Sequence, residues 1–307
     1  MNNINSDKDK MVRGLLFFGT INMTAVSGRE LAEEARKAHG LSHVCTAALG
    51  RLLMQTAMMS VQLKNEADNL TVIFDGDGPA GRLVAVGKEG GRVKGYVDDP
   101  GVELPLKPNG KLDVSGAVGT NGELRVIRDL SLKEPYVGRC AITDGEIAND
   151  FANYFVTSEQ QPSLVYLGVR VDPKTGEVRA ASGLMLQPLP FCPESDIEAV
   201  EKRVGEITRL TAMLEDGWGL EDALSEILEG FDPEFNEESK PEFFCDCSRE
   251  KIESALISLG RDELSDMIEK DGKAELTCRF CCRKYFFDRG ELVRLLEEAV
   301  KRGEADD

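Results

Sequence analysis

Two cysteine pairs lie near the C-terminus, Cys245-x-Cys247 and Cys278-x-x-Cys281, with residues 248–277 between them. Thiolates at such short spacings converge on one metal ion, and four of them make a closed tetrahedral Zn²⁺ site. Two things separate this set from an ordinary zinc ribbon. A C-x-C pair is tighter than the usual knuckle and can also close as a strained, reducible disulfide. The set also ends a long acidic chain with no catalytic signature. The combination predicts a redox switch in preference to a nucleic-acid finger. Thiolates held by Zn²⁺ are already in the nucleophilic form that peroxide or hypochlorite attacks. The expected ligands are Cys245, Cys247, Cys278 and Cys281. Cys282 follows directly and could replace Cys281 or serve as a resolving thiol; C-x-x-C geometry favours Cys281. Cys45, Cys140 and Cys192 are isolated and read as buried small hydrophobes.

The chain has 307 residues, eight cysteines and a formal net charge of -18. Residues 191–307 hold 32 acidic and 16 basic side chains, and 191–240 alone hold 15 acidic and 4 basic. Such a surface repels phosphate, so nucleic acid is not an expected partner. Met1–Met11 is polar and mixed in charge, and the longest apolar stretch, Val44–Leu63, is interrupted by Arg51, Gln55 and Gln62. Neither a secretory leader nor a membrane span is expected, which predicts a cytoplasmic protein. In that compartment eight cysteines argue for metal or redox chemistry over a disulfide framework.

Other motifs read blandly. Gly76-x-Gly78-x-x-Gly81 matches a dinucleotide fingerprint, but strand-like Arg82–Val86 follows where a helix is required, so a hairpin loop is expected. Asp75-x-Asp77 lacks the remaining Ca²⁺ ligands of an EF-hand. His39 and His43, the two histidines, sit at a helix junction without a partner motif, and no G-x-S-x-G elbow is present. No catalytic residue is assigned, and an enzyme is not expected.

The elements that must position the cysteines divide the chain in three. Residues 1–190 read as an α+β core domain of mainly antiparallel sheet with packed helices. Capping boxes at Ser27-x-x-Glu30 and Thr143-x-x-Glu146 open helices, and a further helix covers about 42–64. Period-2 runs place strands at 70–74, 82–86, 92–97 and 123–127, and two further strands, 164–171 and 177–187, flank a Pro-Lys-Thr-Gly turn. Pro188, Pro190 and Pro193 mark a boundary to a helical linker, 191–242. Its first helix opens at Ser195-x-x-Glu198 and carries a seam of Ile197, Val200, Val204, Ile207 and Leu214. A shorter helix covers 220–229, and 231–242 reads as irregular. Residues 243–307 form a small C-terminal zinc-binding domain, with a knuckle at 278–285 and a last helix capped by Asp288-x-x-Glu291.

Cys245-x-Cys247…Cys278-x-Phe280-Cys281-x-x-x-Tyr285-x-Phe287 resembles the redox switch of the heat-shock protein 33 family, the redox-regulated holdase chaperones of bacteria. Upstream, Leu49-Gly-Arg51, Asp75-Gly-Asp-Gly-Pro79, Lys94-Gly-Tyr-Val97, Leu132-Lys-Glu-Pro-Tyr136 and Ser158-Glu-Gln-Gln-Pro-Ser163 look like signatures of its core. The resemblance covers roughly 12–300. It implies one Zn²⁺ per reduced chain, zinc release and disulfide formation at the four cysteines on oxidation, linker unfolding and dimerisation. It also implies ATP-independent binding of unfolding clients under oxidative stress, with Ile197, Val200, Val204 and Ile207 as a candidate client and linker surface. A thiol at Cys282 is not usual in the family and leaves the disulfide pairing open. Competing readings are a static zinc-binding adaptor for a protein partner and, ranked lower, a thiol oxidoreductase using Cys278-x-x-Cys281.

Overall fold

The segment His43–Ser60 is apolar all round its circumference, and such a helix must be buried on every side. The structure, a computed structural model describing residues 9–306, places it between two sheets. The reading of Met1–Met11 as lacking a leader falls largely outside the described residues. The chain forms two compact units, one ending at Phe244 and one beginning at Cys245.

The first unit opens with β1 (Lys10–Leu16) and β2 (Ile21–Ser27), then α1 (Arg29–His39) and α2 (His43–Ser60). Strands β3 (Asn69–Gly76), β4 (Leu83–Lys88) and β5 (Arg92–Val97) follow, then α3 (Val114–Val118), β6 (Gly122–Asp129), β7 (Tyr136–Ala141) and α4 (Ala148–Ser158). Next come β8 (Leu164–Val171), β9 (Val178–Pro188) and four short helices: α5 (Glu194–Lys202), α6 (Val204–Ile207), α7 (Leu210–Glu215) and α8 (Leu220–Ile227). The unit closes with β10 (Glu234–Ser239) and β11 (Glu242–Phe243). One sheet runs β10-β1-β2-β9-β8 and is antiparallel throughout. The other runs β11-β5-β4-β3-β6-β7, antiparallel except for β11 against β5. The loop after Gly76 joins β3 to antiparallel β4, a hairpin and not a nucleotide turn.

Side chains alternate across a strand, so the five-stranded sheet has two faces to cover. Val26, Ala181 and Met185 face the core built around α2, together with Leu70, Val72, Phe74 and Val126 of the six-stranded sheet. Val12, Leu16, Ile21, Met23, Leu184 and Leu186 face the other way, against Val200, Ile207, Leu210, Met213, Leu224 and Ile227. The short acidic helices therefore blanket the outer face of this sheet.

Several local expectations fail, each through a long-range contact. Ser27 does not cap α1; its hydroxyl bonds the backbone of Lys10 across the sheet. Asp9 takes that role, accepting from the Glu30 and Leu31 amides at 2.9 and 2.6 Å. Thr143 does not cap α4; the Asp150 carboxylate gathers the Thr143 and Ile147 amides at 2.6 and 2.8 Å. The long helix expected from Ser195 is three short ones, since turns at Arg203 and Thr208 break it. Residues 231–242 are not irregular: β10 pairs with β1, and Arg13 bonds Glu237 at 2.7 Å. Cys45 and Cys140 are buried, but Cys192 is half-buried.

The second unit holds α9 (Arg249–Leu259), α10 (Arg261–Lys270), the hairpin β12 (Lys273–Thr277) and β13 (Lys284–Asp288), and α11 (Arg289–Asp306). Its core joins Leu256, Leu264, Phe287, Leu292 and Leu295. Asp288 and Glu291 form the expected capping box, each carboxylate accepting the other's amide at 2.9–3.0 Å.

Candidate metal centre

The β12–β13 hairpin turns at residues 278–283 and presents Cys278 and Cys281 from its tip, where the Cys278 amide donates to the Arg283 carbonyl at 2.9 Å. Cys245 and Cys247 arrive on the extended segment just before α9. Ser248 fixes that segment by capping α9, accepting the Lys251 amide at 3.3 Å. Arg249 holds the other side. Its guanidinium lies 4.4 Å from the centroid of the Phe287 ring and bonds the Phe286 carbonyl and Glu291.

The result is one cluster. The Sγ atoms of Cys245, Cys247, Cys278 and Cys281 all lie within 4.8 Å of one another. Cys245 and Cys278 are 3.7 Å apart, and Cys247 and Cys281 are 3.4 Å apart. A tetrahedral ion bound at about 2.3 Å by four sulfurs separates them by roughly 3.8 Å, so the donor set and its spacing fit such an ion. Cys278 is buried and the other three are half-buried.

The cluster without metal resists holding four negative charges. Burial, with thiol contacts to Cys247 and Cys278, pushes the Cys245 thiol far up. Burial also raises Cys281 to about 11. Cys247 goes the other way: burial opposes ionisation, but hydrogen bonds from the Tyr285 hydroxyl and the neighbouring thiols outweigh it and lower the group to about 7. The Tyr285 Oη donates to Cys247 Sγ at 3.1 Å. A bound cation favours the ionised form of every thiol it touches and would offset the burial that raises Cys245 and Cys281. The role of Tyr285 was not legible from spacing; the one signal was a polar-tipped ring at an inward position of β13.

Cys282 lies outside the cluster. It is exposed, its backbone adopts φ 57°, and its amide closes the knuckle on the Cys278 carbonyl at 2.8 Å. The four seam positions do not share one environment. Val200 and Ile207 are buried against the five-stranded sheet and Ile197 is half-buried, but Val204 is 44% exposed. The break at Arg203 rotates α6 out of the register counted from α5, so Val204 leaves the seam.

A family model described as Hsp33 protein matches residues 9–288 of this chain. This chain belongs to the Hsp33 family. Two relatives named 33 kDa chaperonin agree over nearly their whole length. The one from Clostridioides difficile is 42% identical over 95% of this chain and 99% of its own. The one from Alkaliphilus metalliredigens is 43% identical over 94% and 99%. The crystal structure of the 33 kDa chaperonin (heat shock protein 33 homolog) of Thermotoga maritima superposes with a TM-score of 0.87 at 37% identity, covering 95% of this chain and 99% of that one. The Hsp33 fold is thus the α+β arrangement described above, and the family is one of chaperones, not of enzymes. Among the described residues no helix is long and apolar enough to cross a membrane.

Proposed function

We propose that this chain is a redox-regulated, ATP-independent holdase of the bacterial cytoplasm, which holds one Zn²⁺ when reduced and captures unfolding proteins once its cysteines are oxidised. The convergence of four sulfurs within 4.8 Å in a small separate unit carries this reading. A unit of this size draws only about 3–5 kcal/mol from its apolar core, whereas structural zinc contributes roughly 10–16 kcal/mol in small peptides. Its fold therefore depends on the four ligands. The donor set suits Zn²⁺, which all-thiolate tetrahedral sites prefer.

Oxidation removes those ligands. Converting four thiolates to two disulfides releases four electrons, which two equivalents of a peroxide accept on reduction to water. The pairing of the sulfurs stays open. The unit then loses its support, and the loss is felt across a short covalent span: β11 ends at Phe243, two residues before Cys245. The pairing of β11 with β5 is two residues long, and β10 lies on a sheet edge, so both fray readily. Behind them come α8 to α5, four short helices on an acidic segment, each near or below the length at which isolated helices are marginal.

Lifting this linker, 191–242, off the core domain, 1–190, uncovers two complementary apolar surfaces. One is the helix side that includes Val200, Ile207 and Leu210; the other is the outer sheet face of Leu16, Ile21, Leu184 and Leu186. Such surfaces bind unfolded chains and favour homodimerisation of the oxidised form. No nucleic-acid or membrane partner belongs to this reading.

The test compares reduced and peroxide-treated protein in suppressing aggregation of an unfolded client, with released zinc measured in parallel. The expected result is loss of one zinc per chain together with a gain of protection. Complete zinc release without protection would leave the static adaptor as the better reading.

A further inference from the structure

The rim of the outer face of the five-stranded sheet carries ion pairs to the covering helices, Lys10 with Glu221 and Arg170 with Glu215, but its buried centre is apolar except for one group of hydroxyls. Ser182 on β9 is fully buried, and its Oγ lies 2.7 Å from Thr211 Oγ1 on α7. Thr211, itself buried, lies 2.7 Å from the Tyr166 hydroxyl of β8. Tyr166 in turn donates to the Thr208 carbonyl at 3.1 Å. Each hydroxyl has one proton, so the donations run in one direction: Ser182 to Thr211, Thr211 to Tyr166, Tyr166 to the Thr208 carbonyl. No proton in the chain is left over. Two members belong to the sheet and two to the helical segment that covers it.

Gly168 makes room for this chain. A Cβ on Gly168 would stand 2.0 Å from Thr211 Oγ1 and 2.7 Å from the Tyr166 hydroxyl. Its φ is not in the left-handed region, so glycine is required here for space and not for backbone conformation. Glycine in a strand interior weakens the strand, and close approach by another group is one reason to keep it.

We propose that Ser182, Thr211, Tyr166 and the Thr208 carbonyl, seated over Gly168, form a polar latch that fixes one register of α6 and α7 on the sheet and sets how readily they lift. Apolar contacts alone are non-directional and tolerate sliding. A satisfied hydroxyl chain does not, because a shift of one residue leaves the buried Ser182 and Thr211 hydroxyls without partners. On release the Ser182 and Thr211 hydroxyls regain water, so the latch gives register without the full undocking cost of an apolar plug. Its link to activation rests on the holdase reading above; its existence does not.

The experiment is hydrogen exchange on the reduced, zinc-loaded full chain, read at the amides of 208–215 and of α2. Gly168→Ala should speed exchange at 208–215 by roughly tenfold or more and leave α2 unchanged, since one or two buried hydrogen bonds are lost. Thr211→Val, which adds no bulk, should act in the same sense, since Ser182 then loses its acceptor. The triple variant Ser182→Ala/Thr211→Val/Tyr166→Phe, with no orphaned hydroxyl, should exchange more slowly than Thr211→Val alone. Wild-type exchange in both Gly168→Ala and Thr211→Val would overturn the latch, as would a triple variant no slower than Thr211→Val. Faster exchange in Gly168→Ala without any client protection before oxidation would support the latch and count against the holdase reading.

Discussion

Cys282 occupies a backbone conformation suited to glycine, at φ 57°, one residue past a metal-ligand candidate. A side chain there costs roughly 1–2 kcal/mol. Cys282→Gly should therefore stabilise the second unit by about 1 kcal/mol, seen as a higher midpoint in thermal unfolding of the zinc-loaded protein. Cys282→Ser should retain one zinc per chain, and Cys278→Ser should lose it; metal analysis of the purified variants decides. Asp9 gives a pH effect. Burial raises its carboxyl to about 6, against the amide bonds from Leu31 and Glu30 that favour the charge. The folded state thus holds the proton more tightly than the unfolded one. Its contribution to stability is greatest below about 4 and is lost as pH rises through about 6. Asp9→Asn should flatten the fall in stability between pH 4 and 7 by ~1–3 kcal/mol, measured by denaturant unfolding across that range.

Among the elements, α5 to α8 decide what the acidic segment can do. Ile207 is 1% exposed on the sheet, whereas Val204, three residues earlier, is 44% exposed. A charge at Ile207 would be buried against Leu184 and its neighbours, at a cost of several kcal/mol unless the helix lifts. Ile207→Asp should consequently protect an aggregating client while still reduced and zinc-loaded, and Val204→Asp should behave as wild type. An Ile207→Asp variant as inactive as the reduced parent would show that this segment is not the switching element. The covering of this sheet left a trace in the sequence. Most of β9 is buried on both faces, so its residues Ala180–Gln187 do not alternate as a half-exposed strand does.

For the whole molecule, the two units differ in what holds them. The first has a core that spans two sheets and α2; the second has a much smaller core beside four sulfurs placed to hold one ion. A strong zinc chelator under reducing conditions should abolish the helical signal of α9 to α11 in far-ultraviolet circular dichroism and leave a cooperative thermal transition from the first unit. Retention of the full helical signal at zero bound zinc would contradict the metal's structural role. The same division separates the four clustered cysteines from the isolated thiols. Burial raises the thiols of Cys45 and Cys140 in the first unit, the latter to about 11, which keeps them in the unreactive form.

The cysteine spacing, the period-2 runs and the α+β class were open to reading from the sequence, because each is carried by residues close together in the chain. The end of α1 is local in the same way: Gly40 follows His39 and adopts φ 62°, a conformation that favours glycine. What the tertiary structure decided involves partners far apart. Asp9 displaced Ser27 as the cap of α1 from across a sheet, and Asp150 displaced Thr143 by reaching back over its own turn. β1 recruited β10 from more than 200 residues away, turning an apparently irregular acidic stretch into a strand. Two breaks in a predicted helix moved Val204 into solvent, since packing on a twisted sheet outweighed the modest propensity of one continuous helix. Periodicity records which residues prefer burial; only the assembled sheets settle which of them find a surface to be buried against.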